Sequence, residues 1–352
     1  MRKLILRATA FALVQIVVGA VLLSFYDVDE SAYLAATHDK HALLERPSTK
    51  PRLIFVGGSN VAFGVNSAVV ARDLPYEPIN LALHVGVGLR LMLREVEQSL
   101  RPGDVVILSP EYQHFTGRRA GMVLPLLEQR PASIQYVPPV FIPTLLDHAI
   151  NHAGVVIRAS LRNILGRSSH TPAAAPYARH AFNRYGDVVG HWRMERPSKL
   201  TGFGFGAYSD GKIQAMVGHL NRFDDRVRAK HARVFFWYPT IPRSTLREHR
   251  ETIAKIEAEI RRTMTIPVLN QPDAATLPLE FFFDTHYHLT EKGMTYRTRM
   301  LIQSLRPHID LDDAVDAEDA PGDEGAPGAV PAASGRRSRQ PRRARAVRRV
   351  PA

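Results

Sequence analysis

A serine near the start of the chain stands in a setting that suits a nucleophile. An apolar run over residues 52–56 ends in Gly57-Gly58-Ser59-Asn60. A buried strand followed by a glycine turn and a helix places such a serine at the carboxyl edge of a parallel sheet, where ligands bind. Backbone N–H groups in that turn can face a developing oxyanion. Gly-Gly-Ser is also common in ordinary turns, so the tetrapeptide alone leaves both interpretations open.

The groups that would activate Ser59 lie more than 220 residues further along the chain. A serine hydroxyl needs a general base within hydrogen-bond distance, and that base needs a group to orient it. Asp284 and His288 supply such a pair in a loop before the last predicted helix, for which Thr290 is a suitable N-cap. Surface loop histidines are the alternative interpretation. Together with Ser59, at the opposite end of one α/β pattern, the pair favours a catalytic site.

Four blocks of the sequence resemble those of SGNH (GDSL-like) hydrolases, and more closely those of the membrane-anchored branch. The blocks are FVGGSNVAFG (55–64), INLALHVGVG (79–88), PGDVVILSPEYQHF (102–115) and DTHYHLTEKG (284–293). The resemblance covers roughly residues 50–115 and 230–306 and implies a doubly wound, flavodoxin-like parallel sheet. It also implies acyl transfer to exported polysaccharide or cell-wall polymer, alongside a membrane-bound O-acyltransferase.

Residue by residue, the resemblance implies Ser59 as nucleophile and as donor of one oxyanion N–H. It implies a second backbone donor near Gly86. His288, rather than His286, is implied as the base, because HLTEKG matches the family's His-x-[Asn/Ser/Thr]-x-x-Gly phrase. Asp284 stands four residues before His288, whereas the family usually has Asp-x-x-His.

The third block departs from the family at the residue that normally completes the oxyanion site. The family's asparagine donates its side-chain amide there, and this chain has Glu111 nearby instead. An ionised carboxylate cannot donate a hydrogen bond and opposes a developing negative charge. Either another donor takes the role, with Asn60, Tyr112 and Gln113 as candidates, or catalysis is weak. Gly58 is also expected to lie against the substrate.

Short apolar runs alternate with helical patterns on both sides of a long interruption. Beyond 52–56, strands are predicted at 79–83, 104–108, 234–238 and 266–269, and helices at 67–73, 88–100, 247–262 and 290–305. This alternation predicts one α/β domain over residues 51–309 with a doubly wound parallel sheet. Residues 118–230, rich in proline, histidine and arginine, are expected to form a helical insertion. Its apolar segment at 140–161 would cap the site or face a membrane or partner.

Both ends of the chain are predicted to lie outside that domain. Basic residues precede an uncharged run of nineteen residues, 8–26, which would span about 28 Å as a helix. This pattern predicts a single-pass anchor over 1–27 in a bacterial inner membrane, with the body facing the periplasm; a cleaved signal peptide is the alternative. Residues 28–50 are expected to form a helical stalk. The tail 310–352, with eight acidic residues and eight arginines, is predicted to be disordered.

Composition limits the partners and cofactors. The chain has 352 residues, a formal net charge of +12 and no cysteine, which excludes disulfides and thiolate metal sites. Because the tail is neutral overall, the anchor and body carry the positive excess, which suits anionic lipid or an acidic polymer. No motif indicates nucleic-acid binding. No histidine and carboxylate spacing indicates a metal site, and no cofactor is expected.

The sequence thus predicts a serine esterase or acyltransferase that acts on O-acyl groups of an extracytoplasmic polysaccharide through an acyl-Ser59 intermediate. By analogy with the family, the acyl group is acetyl. The alternative is a catalytically silent SGNH-like scaffold that supports a membrane-bound O-acyltransferase, which the presence of Glu111 favours. A lipid-acting esterase at the membrane surface is a third interpretation.

Overall fold

The sheet at the centre of the molecule consists of four parallel strands. The computed structural model describes residues 1–116, 121–167, 171–201 and 208–309, so the predicted tail at 310–352 lies outside the described residues. The strands are β1 (Arg52–Gly57), β2 (Glu77–Asn80), β3 (Val105–Ser109) and β4 (Arg233–Phe236), in the order β2-β1-β3-β4. Every residue of β1 and β3 is buried, as expected for a parallel sheet covered on both faces.

The described residues also form eleven α-helices. They are α1 (Arg2–Ser24), α2 (Ala36–Glu45), α3 (Ser59–Ala62), α4 (Ser67–Asp73), α5 (Leu89–Ser99), α6 (Val123–Gln129), α7 (Ile142–Ile164), α8 (Asp210–Ala229), α9 (Arg243–Glu248), α10 (Arg250–Thr263) and α11 (Glu291–Leu305). Two short strands, β5 (Ile241–Pro242) and β6 (Thr276–Leu277), pair in parallel beside α9. The predicted α/β class with a parallel sheet is therefore confirmed.

The sheet separates two hydrophobic cores. Alternate residues of β1 point to opposite faces, so Ile54 and Val56 enter one core and Phe55 enters the other. Apolar residues of α5, α8 and α10 fill the first core, and those of α4 and α11 fill the second. The helices thus lie on both faces of the sheet, as in a doubly wound arrangement.

The strand order creates a crevice beside the end of β1. The chain leaves β1 for β2 on one side and later returns to β3 on the other. At such a switch point the connections diverge, and ligands of open α/β sheets bind outside the carboxyl ends of the two strands. Ser59 directly follows β1, and Glu111 follows β3. Both residues therefore lie at this crevice.

Two segments predicted to lie outside the α/β core belong to it. Residues 28–50 do not form a separate stalk, because Lys40 and Leu44 of α2 are buried and α2 packs against β2. The predicted insertion also extends too far: α8, at its end, buries Leu220 and Phe223 in the first core and leads into β4. It covers the sheet in the connection from β3 to the parallel strand β4, as the helix of a crossover connection does.

Three predicted elements differ in detail. The second strand ends at Asn80 instead of residue 83, because the chain then turns away towards the crevice. The helix expected at 247–262 is divided at His249 into α9 and α10. Residues 266–269 form no strand of the sheet; they meet β4 through an isolated bridge between Val268 and Phe236.

Within the part of the chain that the structure describes, two helices have the length and composition needed to cross a membrane. The first is α1, in which no residue is buried. The second comprises residues Pro139–Ile164 and contains α7, in the segment for which the sequence predicted an apolar stretch. The predicted N-terminal apolar helix is present, although a signal sequence has the same length and composition.

Candidate active site

Ser59 begins α3 immediately after the glycine pair and is partly exposed. The pair is required because neighbouring groups approach its backbone closely. A Cβ atom at Gly58 would lie 2.3 Å from Glu111 Oε1, and one at Gly57 would lie 2.5 Å from the Ser109 carbonyl oxygen. A side chain at Gly57 would therefore displace the end of β3, and one at Gly58 would displace the Glu111 carboxylate.

Glu111 is the hydrogen-bond partner of the Ser59 hydroxyl. Ser59 Oγ donates to Glu111 Oε1 at 3.2 Å, and the Asn60 N–H donates to the same oxygen at 3.2 Å. Glu111 is only 1% exposed. The predicted departure from the family thus places a buried carboxylate directly against the candidate nucleophile.

The Asp284–His288 pair is formed in spite of its stretched spacing. His288 Nδ1 lies 2.8 Å from Asp284 Oδ1, and the intervening turn is closed by the His288 N–H, which donates to Thr285 Oγ1 at 3.1 Å. Tyr177 adds a hydrogen bond from its hydroxyl to the second carboxylate oxygen, Asp284 Oδ2. The carboxylate is therefore fixed from both sides and holds the imidazole through Nδ1.

A stacked phenylalanine joins this pair to the helix that begins at Ser59. The rings of Phe63 and His288 are parallel within 9°, with centroids 3.9 Å apart. The Phe63 N–H donates to the Ser59 carbonyl oxygen at 2.8 Å, and the Leu289 N–H donates to the Phe63 carbonyl oxygen at 3.0 Å. His288 thus lies against the first turn after Ser59. Among the described residues, however, the Ser59 hydroxyl bonds to Glu111 and not to His288.

The electrostatics of the pair favour an ionised aspartate. Burial raises the pKa of Asp284, but hydrogen bonds from His288 and Tyr177 outweigh that effect and lower it below the ordinary value. Burial and the neighbouring Asp284 raise the pKa of Tyr177, so this hydroxyl stays protonated as a donor. His286 lies apart, with Nδ1 3.4 Å from the Thr201 carbonyl oxygen, and burial lowers its pKa.

The expected oxyanion donors are mostly engaged elsewhere. The Gly86 N–H donates to His84 Nδ1 at 2.9 Å. The Asn60 side-chain amide donates to the Ser109 carbonyl oxygen at 3.0 Å, so it does not face the crevice. Tyr112 is 1% exposed and packs in the first core. The side chains of Asn60 and Tyr112, two of the predicted replacements for the family's asparagine, are therefore buried beneath the site.

Two other backbone N–H groups lie close to the nucleophile, that of Val85 in the second block and that of Ser59 itself. The Val85 nitrogen lies 3.2 Å from the position that a Cβ atom of Gly58 would occupy, which makes it the second-block N–H nearest to the nucleophile turn. The Ser59 N–H is in the first turn of α3, where the helix supplies no acceptor for it. These two amides are the geometric candidates for stabilising an oxyanion.

A cavity of about 520 Å³ adjoins this backbone. Gly86, Gln113 and His114 line it on the side of the sheet, and Val140 and Phe141 line it on the side of α7. Gln113, the third proposed donor, therefore faces an open space next to the crevice. Burial lowers the pKa of His114 to about 4, which keeps this ring neutral at neutral pH.

Arg297 of α11 is a positioning residue that sequence reasoning did not find. Its guanidinium is buried, donates to the Asn60 carbonyl oxygen at 2.6 Å and to Ser109 Oγ at 3.0 Å, and lies 4.0 Å from the Trp237 ring centroid. Burial lowers its pKa to about 9. Arg297 thereby holds the ends of β1 and β3 in place. A charged residue on the apolar face of the predicted last helix was the signal for it.

Tyr177 and Phe63 were also missed as site residues. Phe63 lies within the first sequence block, but nothing in that block indicates that its ring stacks on a distant histidine. Tyr177 lies in the predicted insertion and follows a stretch without recognisable pattern, so no local signal marks it. Within the described residues, no group of three or more His, Asp or Glu side chains could hold a metal ion.

No protein-family model and no curated protein matches this chain. The relation to SGNH hydrolases therefore stays a prediction from the four sequence blocks.

Proposed function

We propose that the chain is a membrane-anchored serine esterase or O-acyltransferase that acts through an acyl-Ser59 intermediate. The observation that carries this proposal is the orientation of the His288 ring. Asp284 Oδ1 lies 2.8 Å from its Nδ1, and Phe63, which directly follows the helix of Ser59, stacks on its face. A serine at a sheet edge beside an oriented imidazole is the arrangement that nucleophilic acyl transfer requires.

In the proposed reaction, Ser59 Oγ attacks the acyl carbonyl carbon and its proton passes to His288 Nε2. The hydroxyl must first rotate from Glu111 towards His288, a movement that partly exposed side chains make readily. The Ser59 and Val85 N–H groups stabilise the tetrahedral oxyanion. The ester C–O bond then breaks, and the leaving alcohol takes the proton from His288. Water or a sugar hydroxyl attacks the acyl-enzyme in the same way and regenerates Ser59.

The substrate and location belong to the same proposal. The resemblance to the membrane-anchored branch supports an acetyl ester and an exported polysaccharide or cell-wall polymer, with a membrane-bound O-acyltransferase as partner. The length of α1 and the basic residues before its apolar run support an anchor in the bacterial inner membrane, with the body in the periplasm. No cofactor takes part in the proposed chemistry.

A catalytically silent scaffold is the second candidate function, and Glu111 favours it. Its carboxylate accepts hydrogen bonds from both the Ser59 hydroxyl and the Asn60 N–H, which places negative charge where an oxyanion would develop. A scaffold would hold polymer beside a membrane-bound O-acyltransferase without forming a covalent intermediate.

The test is hydrolysis of 4-nitrophenyl acetate by the full chain in phospholipid nanodiscs. His288→Ala should lower kcat/KM by roughly 10²–10⁴-fold, the range for losing a general base, and Ser59→Ala should lower it at least as much, because it removes the nucleophile itself. His286→Ala is the matched control, because it removes an imidazole two residues away whose Nδ1 lies 3.4 Å from the Thr201 carbonyl oxygen, and it should retain activity. If wild type is no faster than Ser59→Ala and a fluorophosphonate labels neither, the enzyme proposal is wrong and the scaffold stands.

A further inference from the structure

An exposed apolar stripe runs along the whole of α7. The helix extends over Ile142–Ile164, about 34 Å at 1.5 Å per residue. The stripe consists of large apolar side chains spaced three, four or seven residues apart: Ile142, Leu146, Ile150, Ile157, Leu161 and Ile164. Ile150 is 76% exposed and Leu146 is 61% exposed. Soluble surfaces rarely leave so long an apolar patch open to water.

The other sides of α7 are different in character. Asp147, Asn151, Arg158 and Arg162 are exposed and form a polar stripe next to the apolar one. The third side faces the protein, where His152 pairs with Glu128 of α6. Each residue turns the helix by 100°, so the apolar stripe, the polar stripe and His152 lie on three separate faces, while the buried Ser160 lies at the edge of the apolar stripe. The apolar stripe is therefore a distinct surface and not a gap in the packing.

The end of α7 is attached to the end of α1. Asn163 Nδ2 donates to the Phe25 carbonyl oxygen at 2.8 Å and to Asp27 Oδ2 at 3.2 Å, and the two helices are in contact. Phe25 follows the last residue of the apolar helix, and Asp27 is the first charged residue after it. If α1 crosses a bilayer, Asn163 therefore lies at the membrane–water boundary on the side of the α/β body.

We propose that α7 lies along the surface of the bilayer that α1 crosses, with its apolar stripe among the acyl chains. Arg158 and Arg162, on the neighbouring polar stripe, then face the lipid headgroups, whose phosphates they complement. A spanning arrangement with Asn163 at the boundary would place Arg158 and Asp147 in hydrocarbon, which is unfavourable for ionised side chains. The proposal rests on α1 being the membrane anchor and is independent of the ester chemistry.

This placement connects the membrane to the candidate active site. Val140 and Phe141, immediately before α7, line the cavity that also contacts Gly86 and His114. The helix therefore fixes that wall of the cavity next to the bilayer surface. A polymer still attached to a lipid carrier, or a partner within the membrane, would meet the site at this level.

Single spin labels test the proposal in the full chain, which contains no cysteine of its own. Leu146→Cys, Ile150→Cys and Ile157→Cys place a label on the apolar stripe, and Asn151→Cys and Arg162→Cys place one on the polar stripe. Val14→Cys in α1 is the lipid control, and Lys255→Cys, exposed on α10, is the water control. Each variant is reconstituted in vesicles of phosphatidylethanolamine and phosphatidylglycerol, and collisions with oxygen and with a water-soluble nickel chelate are measured.

The expected result is that apolar-stripe labels resemble Val14→Cys, with collisions with nickel several-fold lower than at Lys255→Cys and frequent collisions with oxygen. Polar-stripe labels should resemble Lys255→Cys. Nickel access at the apolar stripe equal to that at Lys255→Cys would overturn the proposal. So would lipid-like values on both stripes, which mean a spanning helix, or spin–spin broadening between copies, which means that a second copy covers the stripe. A water-exposed Val14→Cys would refute the anchor itself, while leaving the test of Ser59 untouched.

Discussion

Replacing Glu111 by glutamine should increase the esterase activity, an unusual outcome for a buried residue beside a nucleophile. The carboxylate lies 3.2 Å from Ser59 Oγ. In the proposed reaction it is therefore close to the acyl carbonyl group, whose oxygen becomes the oxyanion. With Glu111 ionised, Glu111→Gln removes one negative charge but keeps an oxygen that can accept from the Asn60 N–H. The new amide can also donate a hydrogen bond, as the asparagine of the family does.

The magnitude follows from the charges and their surroundings. Two unit charges about 4 Å apart interact by about 1 kcal/mol in water and by about 4 kcal/mol at an effective dielectric constant of 20. Glu111 is 1% exposed but Ser59 is partly exposed, so we take an intermediate repulsion of about 2 kcal/mol. Since about 1.4 kcal/mol corresponds to a factor of ten in rate, the variant should be about thirtyfold faster. A donated hydrogen bond would add to that gain.

The assay is kcat/KM for 4-nitrophenyl acetate in nanodiscs, with the double variant Ser59→Ala/Glu111→Gln as the background. Glu251→Gln is the matched control, because it removes the same charge at an exposed position of α10, and it should leave the rate unchanged. A lower rate for Glu111→Gln, with an intact fold and an unchanged control, would refute the reasoning. Glu111 would then be the acceptor of the Ser59 proton, and not an opposing charge.

Three further outcomes follow from the contacts. Tyr177→Phe removes one hydrogen bond that lowers the pKa of Asp284, so the acid limb of the pH–rate profile should move to higher pH, by up to about one unit; an unmoved limb would contradict this. Burial lowers the pKa of His114 to about 4, below its unfolded value. The contribution of the neutral His114 ring to the free energy of unfolding is complete above about pH 6.5 and decreases as the pH is lowered towards 4. Between pH 7.5 and 5, His114 should contribute about 2 kcal/mol to the loss of unfolding free energy measured in urea. Burial also lowers the pKa of His191 and His219 to about 4, so His114→Gln should reduce the total loss by about 2 kcal/mol without abolishing it, and exposed His38→Gln should leave it unchanged. Thr290 Oγ1 accepts from the Gly293 N–H at 3.3 Å at the start of α11, so Thr290→Ala should cost about 1 kcal/mol of unfolding free energy and Thr290→Ser much less.

The parts of the fold that the sequence predicted well are those with strong local signals. β1 and α4 were predicted within one residue, because an apolar run and a short helical pattern each end at turn residues. The division at His249 had no signal, since neither glycine nor proline occurs in α9 or α10. The core position of α8 could have been recognised from Ile213, Val217, Leu220, Phe223 and Val227, whose spacing is helical.

The candidate site shows the same difference between contacts that local sequence predicts and contacts that only the fold creates. Asp284 and His288 are close in sequence, so a short turn suffices to bring their side chains together. The partners of Ser59 depend on the whole fold: Glu111 comes from the adjacent strand and Phe63 stacks on a loop from the end of the domain. Tyr177 reaches Asp284 from a segment without regular pattern. Such long-range contacts follow from packing, which sequence spacing does not encode.

The strand order has a consequence for a chain that leaves the ribosome from its N-terminus. β1, β2 and β3 are complete by residue 109, but β4 begins only at residue 233 and His288 follows still later. During synthesis one edge of β3 therefore stays unpaired, and Ser59 lacks His288, until the last quarter of the described chain is made. In the proposed mechanism every product of termination between residues 59 and 287 carries Ser59 without its base. Such chains would be inert towards esters, and activity would report that synthesis had passed His288.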